Sequence, residues 1–148
     1  MRDIFTQKLR SRFPWIKQWH HGDKIEIEPY FAGGDGWYPI WYNMLKEIEA
    51  VYASQDRTPD LLMLQSKEKY GGLRFYYGTA TDAPDEVIHI VGKYGSISEE
   101  TCDVCGQPSE LHWGYFVHAV CAACQNGIIP ASDRIEIPVE DILKLVQE

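Results

Sequence analysis

Four cysteines are the residues of this chain with the most definite chemistry. Cys102-Asp-Val-Cys105 and Cys121-Ala-Ala-Cys124 are separated by 15 residues, a C-x2-C-x15-C-x2-C pattern. Two residues between thiolates let one tight turn aim both sulfurs at a common point, and two such turns complete a tetrahedron. Gly106, directly after the first pair, suits a turn that needs positive φ. The spacing predicts one structural zinc ion per chain, held by Cys102, Cys105, Cys121 and Cys124 in a module like a zinc ribbon or treble clef. Binding of this kind is worth roughly 10–16 kcal/mol near neutral pH, enough to hold that part of a fold together. Four thiolates leave zinc no open position for water or substrate, which argues against chemistry at the metal. His112 and His118 lie between the two pairs. Either could replace one cysteine, but a hairpin surface beside Trp113, Tyr115 and Phe116 is the expected place for them.

Other constellations carry less. Lys67, Lys69 and Arg74 cluster in one stretch with Glu68. Asp60 with Gln65-Ser-Lys67 imitates a nuclease pattern, but residues five apart on one strand face opposite ways and would not converge on a divalent ion. His20-His21 precede the cysteines, whereas a zinc-turn nuclease of the HNH type needs its histidines beside and after them. Gly33-Gly-Asp-Gly36 leads into a helix and imitates an anion loop. Asp35 there would repel phosphate, so a capping turn is the expected role. Trp15 and Trp19 stand in a basic, irregular stretch and are candidates for contact with a partner, since aromatics concentrate at binding hot spots.

The elements that must position these residues are legible from periodicity. Ile4, Phe5, Leu9 and Phe13 recur at helical spacing before Pro14, predicting a short helix. Lys24 to Glu28 alternates as a strand would. Trp37, Ile40, Trp41, Met44, Leu45, Ile48, Val51 and Tyr52 form one wide apolar stripe, predicting a helix over 36–53 with Pro39 in its first turn. Residues 61–77 read as a β-hairpin turning at Gly71-Gly72. Val87, Ile90, Val91, Tyr94 and Ile97 mark a helix over 83–97, and Val139, Ile142, Leu143 and Val146 mark a C-terminal one after Pro138. The expected class is α+β: a small antiparallel sheet packed with helices over 1–100, then a zinc module with an acidic C-terminal helix over 101–148.

Composition narrows the functions. With 148 residues, 45% hydrophobic and 13% aromatic, the chain can bury a core. A net charge of −8 disfavours sequence-independent nucleic-acid binding, which depends on Lys and Arg meeting phosphates. The loop from Gly106 to Val120 has no Lys or Arg and one acid, Glu110, so it lacks a phosphate track. Charge is polarised: residues 1–20 hold Arg2, Lys8, Arg10, Arg12 and Lys17 against Asp3 alone. No apolar run approaches the roughly 18 residues of a membrane span. The N-terminal stretch has no apolar core of a signal peptide, so a reducing, cytoplasmic setting is expected, where metal ligation wins over disulfides.

Four stretches together resemble a family of small proteins of bacteriophages, prophages and bacterial genomes. They are Gly34-Asp-Gly-Trp37, Ser66-Lys-Glu-Lys-Tyr-Gly-Gly-Leu-Arg-Phe-Tyr76, Ser98 to Gly106 with its first cysteine pair, and Cys121-x-x-Cys124. The resemblance covers roughly residues 30–127, and the Lys67-to-Tyr76 run is its most specific part. It implies zinc binding and a mobile-element setting inside a bacterial host cell, and it brings no activity to these residues.

The expectation is thus a non-enzymatic, zinc-stabilised factor that binds a protein of the bacterial host, in one form inhibiting a defence or nucleic-acid enzyme. Its candidate contact residues are Trp15, Trp19, Asp35, Lys67, Lys69, Arg74 and Trp113. The alternative is a nucleic-acid-binding or nuclease-like protein that uses the basic hairpin, with zinc purely structural.

Overall fold

The structure is a computed structural model and describes residues 1–20, 25–112, 117–125 and 136–146. Helix α1 (Asp3–Arg12) buries Phe5 and Leu9 and ends before Phe13 and Pro14. The i, i+4 repeat of Phe5, Leu9 and Phe13 sets its inner face, which leaves Ile4 outside, contrary to the expected stripe. Strands β1 (Lys17–Trp19) and β2 (Glu26–Ile27) follow; β2 is shorter than the expected strand, and Ile25 and Ile27 stay exposed, so its alternation does not sort side chains into buried and exposed. A 3-10 turn over Asp35–Trp37 runs into α2 (Tyr38–Ser54), with Pro39 in its first turn.

Helix α2 is the centre of the molecule. Its predicted stripe is buried from Trp37 to Tyr52, apart from a half-buried Val51. Tyr38 and Tyr42 are buried as well, because α1 lies against that flank: Phe5 meets Tyr38 at 5.0 Å and Phe13 meets Tyr42 at 5.4 Å between ring centroids. On the sheet side, Trp41 packs edge-on against Phe31 and Phe75. Both buried indoles are satisfied, Trp41 Nε1 donating to the Ala32 carbonyl and Trp37 Nε1 to the Thr101 carbonyl, each at 2.9 Å.

The chain is α+β, as expected. Its main sheet has the order β2-β1-β3-β4, with β3 (Leu61–Lys69) and β4 (Gly72–Thr79) forming the predicted hairpin. The β1–β2 and β3–β4 pairings are antiparallel, while β1 and β3 run parallel, so the sheet is mixed. The parallel neighbour arises because α2 carries the chain across one face between them, the crossover that parallel strands need. The hairpin turns at Tyr70-Gly71, not Gly71-Gly72: both residues have positive φ (55° and 77°), and Lys69 pairs with Gly72. Two left-handed residues match the right-handed twist of the flanking strands.

Helix α3 (Glu86–Glu99) buries Val87, Ile90 and Tyr94. Its last turn is anchored by buried Ser98 instead of the predicted Ile97, the Ser98 hydroxyl accepting the Leu73 amide of β4 at 2.7 Å. A two-stranded sheet of β5 (Glu110–His112) and β6 (His118–Val120) and a short α4 (Val139–Leu143) complete the described chain. Ile142 of α4 is fully buried in the common core.

Asp35 does not cap α2. Its carboxylate accepts the Arg2 backbone amide at 2.7 Å and the Arg2 Nε, so it serves the start of α1 instead. Arg2 also donates to the Ile137 carbonyl, tying the two ends of the described chain to the glycine loop.

Candidate metal centre and candidate binding face

The first cysteine turn is built by its own backbone. The Gly106 amide closes on the Cys102 carbonyl at 2.9 Å, and the Cys102 amide donates to the Gln107 carbonyl at 2.8 Å. Gly106 takes φ +76°, the conformation anticipated for it. The second turn closes with the Cys124 amide on the Cys121 carbonyl at 3.0 Å. Strand β6 delivers the second pair to the first: the Asp103 amide donates to the Ala119 carbonyl at 2.9 Å, two residues before Cys121.

As a result the four sulfurs of Cys102, Cys105, Cys121 and Cys124 all lie within 4.8 Å of one another, with Cys105 Sγ and Cys121 Sγ 3.6 Å apart. None is in a disulfide. Thiolates around a tetrahedral ion at about 2.3 Å would stand about 3.8 Å apart, so the arrangement fits a metal ion with small adjustments. Among the described residues no histidine joins the group. His112 and His118 instead face each other across β5 and β6, and His112 Nδ1 lies 2.8 Å from Gln125 Nε2.

Burial pushes the Cys105 thiol up to about 11, and burial with the neighbouring thiols raises Cys124 further. Burial opposes ionisation of Cys121 too. The Cys124 amide and the adjacent thiols outweigh it and bring Cys121 down to about 7. Thiolates are the ligating form, so a dication held by the four sulfurs would displace their protons.

The glycine-rich loop lies directly on this turn. The Gly36 amide donates to the Asp103 carbonyl at 2.9 Å. A methyl group on Gly36 would fall 2.2 Å from the Cys102 carbonyl oxygen, and one on Gly34 would fall 2.2 Å from that of Asp103. Gly33-Gly-Asp-Gly36 is therefore a backbone cradle for the cysteine turn. Hairpin residue Gly71 likewise abuts Leu111 and Ala119 of the small sheet.

The main sheet has one covered and one open face. Leu61, Met63, Leu73 and Phe75 point toward the helices and are buried. Side chains alternate along a strand, so Leu62, Lys67, Arg74 and Tyr76 project to the other side. There the register sets Lys67 opposite Arg74, and Lys67 Nζ lies 5.4 Å from the Tyr76 ring centroid. A bulge between Met63 and Gln65 turns Leu64 outward as well, near Gly78. In β1, Gln18 stands beside buried Met63, which places Lys17 and Trp19 on the open face.

Of the candidate contact residues, Trp19, Lys67, Lys69 and Arg74 share this hairpin-and-β1 face. Lys69 Nζ lies over Tyr70, while Arg74 is held by Glu99 at 3.2 Å. Trp15 lies elsewhere, packed on the core with its indole nitrogen donating to Glu49 at 3.1 Å. Asp35 is engaged by Arg2, and Trp113 lies outside the described residues. Leu64 and Tyr76 join this face without standing among the expected contact residues; alternation with buried Leu73 and Phe75 places Tyr76 outward, but the bulge at Leu64 has no local sequence signal. Asp60 is not part of a divalent site: its carboxylate accepts Thr81 Oγ1 at 2.6 Å, the Thr81 amide at 2.9 Å and the Tyr52 hydroxyl at 3.1 Å, bracing the start of β3.

The fold and the cysteine cluster define an α+β protein with a four-cysteine site able to hold a metal ion. No family model, curated protein or solved structure matches the chain.

Proposed function

We propose that this chain is a non-enzymatic, zinc-stabilised protein-binding factor. Zinc is the ion that four thiolates in a tetrahedron select in the absence of redox chemistry, and it would be closed to substrate. Its role would be to brace the cysteine turn against the cradle at Gly34 and Gly36. The observation that carries the binding role is the open sheet face, where Trp19, Leu64 and Tyr76 stay exposed beside Lys67 and Lys69. Exposed aromatic residues on a rigid sheet are what contact surfaces use as anchors, with charged side chains at the rim. The setting, a phage or mobile element acting on a bacterial host protein, is supported by the resemblance of four stretches alone. Inhibition of a host enzyme is one form of it.

The competing reading, a nucleic-acid module on the basic hairpin, would use the same cations and rings. Retention of bacterial proteins on the immobilised zinc-loaded chain, with and without nuclease, separates the two. A stoichiometric protein that survives nuclease supports the binding factor. Tight retention of oligonucleotides that collapses with salt, and of no protein, would sink it.

A further inference from the structure

We infer that the open face of the main sheet is the docking surface, and that its occupant is an acidic protein segment carrying apolar anchors. This rests on the protein-binding role proposed above and names where and what it binds.

A transverse apolar row crosses the sheet. Trp19 on β1, Leu64 on β3 and Tyr76 on β4 are 44%, 51% and 45% exposed. Hairpin pairing puts Tyr76 opposite Gln65, beside Leu64, and the parallel β1–β3 register brings Trp19 to the same level. Three large side chains left in water on one rigid face form a patch of the kind that marks contact sites. Isolated exposed residues need no such reading, but these are neighbours.

Charge selects the occupant. The row is flanked by Lys17 on one side and by Lys67, Lys69 and Arg74 on the other. Lys17 is paired with Glu26 and Arg74 with Glu99. Lys67 and Lys69 lie over Tyr76 and Tyr70, and among the described residues neither has a carboxylate within salt-bridge reach. A basic patch on a chain of net charge −8 is complementary to acids locally. A second copy docking through the same face would bring cations onto cations and is disfavoured. A nucleic-acid strand needs a continuous cationic track, which Lys67 and Lys69 alone do not make. A segment with a few acids around Phe, Leu or Trp anchors gains apolar burial at the row and pairs with the two lysines.

The test uses the full, zinc-loaded chain and a random peptide library displayed on phage. Selected sequences should be enriched in Asp and Glu together with Phe, Leu or Trp. Synthesised with a fluorophore, they should bind the wild type and lose about tenfold or more with Trp19→Ala, with Tyr76→Thr or with Lys67→Glu. Ile88→Ala, an exposed residue on α3, should leave binding unchanged. Unaltered zinc content and melting would certify each variant as folded. Basic selected sequences, no enrichment, binding indifferent to the face variants, or displacement by oligothymidylate at lower concentration would overturn the proposal. A bacterial protein retained equally by wild type, Trp19→Ala and Lys67→Glu would reject this surface and leave the binding role standing. No retained protein at all would reject the role itself.

Discussion

The amide of Gly36 and the carbonyl of Asp103 meet at 2.9 Å, joining the loop before α2 to the turn between the first two cysteines. Beside that bond, Trp37 reaches across to the Thr101 carbonyl, so the central helix and the cysteine turn share one boundary. A change at the cysteine cluster is then felt in the core, and a change in the loop is felt at the cluster.

Gly36→Ala tests that coupling. Its methyl would lie 2.2 Å from the Cys102 carbonyl oxygen and 2.4 Å from the Gly106 amide nitrogen, both backbone atoms that cannot swing aside. Overpacking of this kind costs about 1–3 kcal/mol or more. Denaturant melts should show that loss together with weaker metal retention. An unchanged midpoint would show that the two backbones are farther apart than the structure has them.

Removal of the metal should follow pH in a defined direction. Thiols must lose their protons to ligate, and burial pushes the Cys105 thiol up to about 11. Affinity for the proposed zinc should therefore fall as pH is lowered, with proton release on binding. Calorimetry in buffers of different ionisation enthalpy measures this. Binding with no proton release would mean ligands other than thiols.

Acid should weaken the α1–α2 contact. The Arg12 guanidinium holds the Glu49 carboxyl below its ordinary value, partial burial opposing and the Trp15 indole assisting. A depressed carboxylate contributes stability that is present above its unfolded value of about 4.3 and is lost as pH falls through the lower, folded one. Wild-type stability should thus drop below about pH 4, and Glu49→Gln should be less stable at neutral pH with a smaller acid drop. Parallel pH dependences in the two proteins would contradict the assignment.

Tyr70 occupies a left-handed turn position at φ 55° and is largely exposed. A bulky residue there costs roughly 1–2 kcal/mol, while Asn-Gly is the favoured pair for this turn. Tyr70→Asn should raise the melting midpoint. A lower midpoint would mean that the Tyr70 ring contributes more to the fold, through Lys69, than the turn loses.

Much of this was legible before the structure. The cysteine spacing anticipated the cluster because two-residue turns bring sulfurs together whatever surrounds them. The α2 stripe was equally clear, since eight apolar residues at helical offsets leave one solution. What stayed hidden depends on distant partners. Arg2 takes Asp35 from its expected capping role across 33 residues. The parallel placement of β1 beside β3, and the bulge that exposes Leu64, follow from how α2 lies across the sheet. The turn at Tyr70-Gly71 was masked by the more obvious Gly-Gly pair one residue later. The shared boundary explains two of the glycine-bearing stretches, Gly34 to Trp37 and Cys102 to Gly106, as two halves of one contact.

The most direct test of the metal-braced fold is elemental analysis of the purified chain alongside thiol counting in the native and denatured states. One zinc per chain, with all four thiols protected until denaturation or chelation, is the expected result. Protein that is folded and stable with no stoichiometric metal, or with four freely reactive thiols, would contradict it.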